Sequence, residues 1–130
     1  MKHMSNKMRR RVRECRPFRD QLLAEVGRCE MCGHDPSQIK LGQIGWALSV
    51  HEIARGTHRS KALDKRYAVL VVCWHCHENR IDNGKEQWPE ARQLAVLKRS
   101  RPADFNLAAY NQLVGYGPDR ISEEDVERYG

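Results

Sequence analysis

Two Cys-x-x-Cys pairs constrain this chain more than any other feature of its sequence. Cys29 and Cys32 form the first pair, and Cys73 and Cys76 form the second after 40 intervening residues. Each tight turn presents two sulfurs on one side, and four thiolates can close a tetrahedron around Zn²⁺. The sequence shows no export signal, so we expect reduced cysteines and favour a metal over disulfides. The spacing therefore predicts one structural zinc site, and we interpret Cys15, which lies among arginines, as a free thiol.

The chain is short and polar, which limits the hydrophobic core that it can build. It has 130 residues, of which 31% are charged, and only two are Phe. We expect one compact domain that depends on the metal for part of its stability. No apolar run is long enough to span a bilayer and no signal-peptide region follows the basic start. We therefore expect a cytoplasmic protein without membrane contact.

Positive charge is concentrated at the start of the chain. The formal net charge is +6. Residues 1–28 carry nine Lys/Arg against three acidic residues, a net +6, whereas residues 118–130 carry a net −3. A basic end on a soluble chain favours a polyanionic partner, and DNA is the usual one. The alternative is a solvated basic helix that only aids solubility. The candidate DNA contacts in this segment are Arg9, Arg10, Arg11 and Arg13.

Hydrophobic periodicity and turn signals predict the secondary structure. Pro17 suits a first helical turn and Gly27 suits a C-cap, which predicts a helix between them. Residues 67–72, YAVLVV, are apolar and rich in β-branched side chains, which predicts a strand. We also predict a helix or flexible arm at residues 5–16, a strand at 44–53, a basic polar loop at 54–66, helices at 74–81, 89–98 and 104–113, and a last helix that begins at Ser122 in a capping box with Asp125.

The order of elements around the cysteine pairs matches a known arrangement. A strand ending in SVHEI is followed by a loop, a second strand, and a helix that opens with CWHCH. This order resembles the HNH endonuclease family, in particular short phage and bacterial members that carry a four-cysteine zinc site. The resemblance covers about residues 29–83. It implies an α+β fold with a small ββα-metal core stabilised by the zinc. Outside the match, charge and helical patterns predict a basic N-terminal arm or helix at residues 1–28 and a helical extension at 84–130.

The resemblance also implies a function for two histidines. His51, at the end of the first strand, and His77, directly after the second cysteine pair, would hold a catalytic divalent ion such as Mg²⁺, Mn²⁺ or Ni²⁺. The ion would contact the scissile phosphate of DNA. Hydrolysis would leave 5′-phosphate and 3′-hydroxyl ends. In this interpretation the chain is a metal-dependent DNA endonuclease of the type that phages and bacteria encode, and the zinc positions the helix that carries His77.

The pair His51-Glu52 departs from the family pattern. The family usually has Asp-His or His-His here, and the second residue acts as the base, which places Glu52 in the base position. His51 could instead be the base, or Glu52 a further metal ligand. Adjacent residues of a strand point to opposite faces, so one of the pair is expected to point away unless the strand end is twisted. The middle asparagine of the family is also absent, because Ala68 occupies its position.

A basic loop follows the first strand. Its side chains could bind the DNA backbone, since phosphate contacts position a protein without reading sequence. A simple solvated loop is the alternative. Two functions outside the enzyme class are also consistent with the sequence: a non-catalytic zinc-binding DNA-binding module, and an accessory protein of a phage packaging or replication assembly. The candidate contacts of this loop are Arg55, Arg59, Lys61, Lys65 and Arg66.

Overall fold

The computed structural model describes residues 5–38, 45–55, 58–82, 87–115 and 120–130. These residues form a mixed helical and sheet fold around one two-stranded antiparallel sheet. Within the described part of the chain no helix is both long and apolar enough to cross a bilayer. The strands are β1 (Leu48–Glu52) and β2 (Val69–Cys73), and the helices are α1 (Asn6–Glu14), α2 (Arg16–Val26), α3 (Arg59–Ala62), α4 (Trp74–Cys76), α5 (Glu90–Ser100), α6 (Leu107–Val114) and α7 (Glu123–Glu127).

The strand predictions are confirmed in position and corrected at their ends. β1 is shorter than the predicted strand 44–53, and residue 44 lies outside the described residues. β2 begins two residues later than predicted, because Tyr67 belongs to a 3-10 turn over Arg66–Ala68. That turn is closed by a hydrogen bond from the Ala68 N–H to the Lys65 carbonyl. The chain therefore enters β2 from a tight turn.

The two faces of the hairpin pack against different helices. On one face Val50 and Val71, which are paired across the strands, contact Leu22 of α2. On the other face Leu70 and Val72 join a larger cluster that includes side chains of α5, α6 and α7. Residues of β2 are buried throughout, as expected for a strand covered on both sides. The C-terminal helices thus share the core of the hairpin.

The N-terminal segment is helical and docks on α3. Ser5 caps α1, since its side chain accepts a hydrogen bond from the Met8 N–H. Arg11 ties α1 to the region of α3 by donating to the Ser60 carbonyl and to Asp64 at 2.9 Å. The predicted polar loop 54–66 is therefore corrected, because it contains α3 and is an attachment point for α1.

Local end signals of the helices are confirmed. Gly27 ends α2 with a left-handed φ of 67°, a conformation that glycine adopts without steric cost. Ser122 and Asp125 form the predicted capping box at the start of α7. The helix predicted at 74–81 is short: α4 spans Trp74–Cys76 and continues as a π-helical turn over His77–Asp82. His77, which directly follows the second cysteine pair, is the first residue of this π-helical turn.

Candidate metal centre and histidine pair

The four predicted zinc ligands converge on one point. The sulfur atoms of Cys29, Cys32, Cys73 and Cys76 all lie within 4.8 Å of one another. The Cys32 and Cys73 sulfurs are 3.8 Å apart. Zinc binds sulfur at about 2.3 Å, so sulfurs at the corners of a tetrahedron around it lie about 3.8 Å apart. The cysteines are thus positioned to hold a metal ion, and their geometry and chemistry fit zinc.

Backbone hydrogen bonds shape both cysteine turns. The Cys29 N–H donates to the His34 carbonyl, and the Gly33 N–H donates back to the Cys29 carbonyl. Gly33 has φ of 82°, which permits this tight reversal. In the second turn Cys73 caps α4, and its sulfur accepts from the Cys76 N–H at 3.5 Å. Each turn therefore presents its two sulfurs on one side.

The electrostatics of the cluster favour a cation. Burial raises the pKa of the Cys73 and Cys76 thiols, and negative charge on Cys29 raises both further. Burial also acts to raise the pKa of Cys29, but hydrogen bonds from backbone groups, that of Cys73 first, lower it overall. Several thiolates this close repel one another unless a positive ion lies between them. A bound Zn²⁺ would remove that repulsion.

A buried ion pair, which the sequence analysis missed, attaches the first cysteine turn to β2. Glu30 donates its backbone N–H to the Val71 carbonyl and accepts from the Val71 N–H with its carboxylate, both at 2.8 Å. Its other oxygen accepts from Arg101 at 3.0 Å. Arg101 also donates to the Val69 carbonyl and to Asp104. The first turn is therefore held against the outer edge of β2, beside the second turn.

The two predicted catalytic histidines lie together. His51 of β1 and His77 have ring centres 5.4 Å apart, with an interplanar angle of 75°, and both are half-buried. An ion ~2.1 Å from each ligating nitrogen is roughly 3.2 Å from each ring centre. Two rings on one such ion, at a near-tetrahedral angle, lie about 5 Å apart. The pair could therefore supply two ligands to one ion.

A second buried residue missed by the sequence analysis contacts this pair. Gln93 of α5 is 0% exposed, and its Oε1 lies 2.8 Å from the Nε2 of His51. Its amide nitrogen donates to the Trp88 carbonyl at 2.9 Å. Gln93 is a polar residue directly before Leu94, at a position of α5 that faces the core. That is the sequence signal that could have indicated it. Buried polar side chains of this kind usually serve a specific hydrogen bond.

Glu52 has different neighbours from those expected of a base beside the histidines. It lies on the same face of the hairpin as Val50, the α2 side, and is 7% exposed. One carboxylate oxygen accepts from Arg19 of α2 at 3.0 Å. The other accepts from two nitrogens of Arg59, at 3.1 and 3.2 Å. Both oxygens are thus occupied by guanidinium groups.

The predicted DNA-contacting residues fall into two groups. The first group contacts the protein itself. In addition to Arg11 and Arg59, Arg55 donates to the Trp88 carbonyl, Lys65 lies 3.5 Å from Asp64, and Arg66 pairs with Glu25 and Asp104. The second group is exposed on the surface and consists of Arg9, Arg10, Arg13 and Lys61. Most of the basic loop therefore stabilises the fold through carboxylates of the same chain, a possibility that neither sequence interpretation included.

Comparisons of the chain with protein-family models, with curated proteins and with solved structures return no match. The resemblance to the HNH family therefore rests on the spacing of the cysteines and on the SVHEI and CWHCH segments. The geometry adds two facts about those segments: one cluster of four thiols, and one pair of neighbouring imidazoles.

Proposed function

We propose that this protein is a metal-dependent DNA endonuclease of the HNH type, which hydrolyses phosphodiester bonds to 5′-phosphate and 3′-hydroxyl products. The observation that carries the proposal is the closeness of His51 and His77, at 5.4 Å between ring centres, beside a separate and complete cysteine cluster. Structural zinc sites use four protein ligands, whereas catalytic sites leave positions open for water and substrate. Two half-buried histidines next to a four-thiol cluster fit this division.

In this proposal the cysteine cluster holds zinc and orients the turn that carries His77. Cys76 ends α4 and His77 begins the π-helical turn, so a zinc ion bound by Cys76 would also hold the start of that turn in place. A divalent ion held by the histidines would supply charge stabilisation at the scissile phosphate and at the departing 3′ oxygen. The two imidazole rings would supply the nitrogen atoms that ligate the ion. The hairpin and α4 hold these rings in position.

We assign Glu52 a structural role in this reaction. Its carboxylate accepts hydrogen bonds from Arg19 and Arg59 on the α2 side of the hairpin. A general base must reach the attacking water within hydrogen-bond distance, and its lone pairs must be available. His51 then has two possible roles, ion ligand or proton acceptor. A measurement of Ni²⁺ binding distinguishes the two roles, because the His51→Ala protein loses affinity for Ni²⁺ only if His51 is a ligand.

DNA affinity is proposed to come mainly from the exposed face of α1. Arg9, Arg10 and Arg13 are exposed there, whereas Arg11 holds α1 to Asp64. Replacing the three exposed arginines by glutamine, while keeping Arg11, should lower the slope of log affinity against log salt by about 0.9 for each lost phosphate contact. An unchanged slope would show that these side chains only solvate the helix.

The decisive experiment is a plasmid-cleavage assay with Mg²⁺, Mn²⁺ or Ni²⁺ against a chelator control. His77→Ala and His51→Ala should each abolish cleavage. His75→Ala is the matched control, since His75 is an exposed histidine of the same cysteine turn that contacts Asn79 instead. Normal cleavage by the His77→Ala protein would contradict the proposal.

The contacts of Glu52 favour a second candidate, a zinc-binding DNA-binding module that does not cut. In that case the position of the family's base is occupied by a carboxylate that serves the fold. Such a protein would bind duplex DNA with a steep dependence on salt and leave a plasmid intact with every ion tested. Cleavage that depends on an added ion and on His77 excludes this candidate.

A further inference from the structure

We propose that Gln93 is a positioning residue that fixes the tautomer of His51. Gln93 belongs to α5, outside the segment that resembles the HNH family. The importance of the tautomer for cleavage rests on the proposed function. The assignment of the tautomer itself depends only on the hydrogen bonds of Gln93 and is independent of the proposed function.

The orientation of the Gln93 amide follows from its two partners. The Trp88 carbonyl oxygen can only accept a hydrogen bond, so the amide NH₂ of Gln93 must face it, at 2.9 Å. The amide oxygen then faces the Nε2 of His51 at 2.8 Å, and an amide oxygen can only accept. The proton of a neutral His51 ring must therefore be on Nε2.

The position of that proton determines which nitrogen can react. In a neutral imidazole only one nitrogen carries a hydrogen, so the lone pair of His51 is on Nδ1. A lone pair is needed whether His51 ligates an ion or accepts a proton. Histidines that bind metals commonly donate their other N–H to a fixed acceptor, which sets tautomer and ring orientation. Gln93 provides such an acceptor without adding charge, and its complete burial keeps water from replacing it.

The backbone of Trp88 links Gln93 and His51 to the second histidine. Its N–H donates to the Arg80 carbonyl at 2.7 Å, and Arg80 lies in the π-helical turn that begins with His77. The Trp88 ring is itself held by the guanidinium of Arg92, 3.5 Å from the ring centre. The backbone of one residue, Trp88, thus contacts the turn of His77 through its N–H and the partner of His51 through its carbonyl. By this inference α5 and Trp88, which precedes it in the chain, belong to the site.

The test is a nitrogen NMR measurement of the imidazole rings in the zinc-loaded full chain, with the His51 signals identified by their loss in His51→Ala. The wild-type protein should show His51 in the Nε2–H form alone. A ring protonated on Nδ1, or a mixture of the two neutral forms, would overturn the proposal. This measurement needs no variant at Gln93, so a variant that fails to fold does not prevent it.

Two variants then test what Gln93 does. Gln93→Met keeps the length of the side chain and removes the acceptor, so His51 should become a mixture of tautomers. The ion affinity of the site or its rate of cleavage should fall by about 10–100-fold. Gln93→Glu keeps an acceptor for the Nε2–H group, although it removes the amide donor to the Trp88 carbonyl, and should keep the Nε2–H form. Gln112→Met, at an exposed glutamine of α6, is the matched control and should match the wild type. A Gln93→Met protein with the wild-type tautomer and ion affinity would overturn the proposal.

Failure of this inference is distinguishable from failure of the proposed function. A wild-type protein that cuts no DNA but shows the Nε2–H form, and loses it in Gln93→Met, refutes the nuclease and supports the role of Gln93. A protein that cuts DNA with a mixed tautomer at His51 refutes the role of Gln93 and leaves the nuclease standing.

Discussion

The cysteine cluster and the histidine pair are neighbours in the fold but differ in how they are built. Cys29, Cys73 and Cys76 are buried, and backbone N–H groups contact the sulfurs of Cys29 and Cys73. His51 and His77 are only half-buried, and His51 is held by an uncharged amide. The first site offers four protein ligands within 4.8 Å, and the second offers two.

This difference fits the two roles that we propose for the sites. A site with four protein ligands has no position left for a substrate, and its free energy of metal binding stabilises the fold. A site with two ligands binds an ion weakly by itself but leaves positions for phosphate and water. Under the proposed function, the chain separates a zinc that would hold the structure from an ion that would do chemistry. Each of the following predictions tests one side of that separation.

The largest effect is expected at the cysteine cluster. Cys76→Ser should lose zinc and unfold, because structural zinc binding contributes about 10–16 kcal/mol in small zinc-finger peptides. That exceeds the stability of many whole domains, about 5–15 kcal/mol. Zinc content and a thermal melt followed by circular dichroism measure the effect. Cys15→Ser is the control, since Cys15 is also buried but lies outside the cluster. A Cys76→Ser protein with the wild-type melting temperature would show that the cluster does not hold the fold.

The next effect is expected at the ion pair behind the cluster. Arg101→Met leaves the carboxylate of Glu30, whose side chain is 0% exposed, without its charged partner. Breaking a buried pair in this way typically costs ~3–5 kcal/mol. Urea unfolding of the zinc-loaded chain measures the loss. Arg99→Met, at an exposed position of α5, should change stability little. A loss at Arg101 no greater than that at Arg99 would contradict the importance of the pair.

A smaller effect on stability is expected at Glu52. Glu52→Gln weakens charged hydrogen bonds to Arg19 and Arg59, each worth about 1.5–3 kcal/mol. The cleavage rate should stay within about tenfold of wild type, since the carboxylate is assigned to the fold. Glu14→Gln, at an exposed position of α1, is the control for stability. A rate lower by about 10²–10⁴ with unchanged stability would instead make Glu52 the base.

The smallest effect on stability is expected at the histidine pair. His77→Ala should change the free energy of unfolding by about 1 kcal/mol or less, because a half-buried ring contributes little packing. Its zinc content should equal that of the wild type, although cleavage is abolished. Urea unfolding and zinc analysis of the same sample measure both, with His75→Ala as the control. Loss of zinc in the His77→Ala protein would show that the two sites are not separate.

Local patterns predicted much of this molecule. The cysteine pairs, the β-branched run of β2, the C-cap at Gly27 and the capping box at Ser122 all depend on residues close together in sequence. Their physical cause lies in backbone geometry and in side chains three or four residues apart, which a sequence displays directly. The start of β2 and the end of α4 were predicted less accurately, since a 3-10 turn precedes β2 and a π-helical turn follows α4.

Contacts between distant segments could not be predicted in this way. Glu30 meets Arg101 across 71 positions, and His51 meets Gln93 across 42. Nothing in the sequence near Gln93 indicates a histidine as its partner. The same limit applies to the basic loop. Charge alone suggested DNA contacts there, and it could not show that Arg59 and Arg66 bind carboxylates brought close by the fold.

The attachment of the first cysteine turn to β2 also affects how separate copies of the chain meet. The outer edge of β2 directs the N–H and carbonyl of Val71 and the carbonyl of Val69 toward Glu30 and Arg101. An uncovered strand edge is a template for pairing with another chain, and VLVVC is uncharged and strongly β-forming. Loss of zinc would release the turn that covers this edge. A metal-stripped chain should therefore aggregate through β2, so a bound zinc would keep the protein dispersed as well as folded.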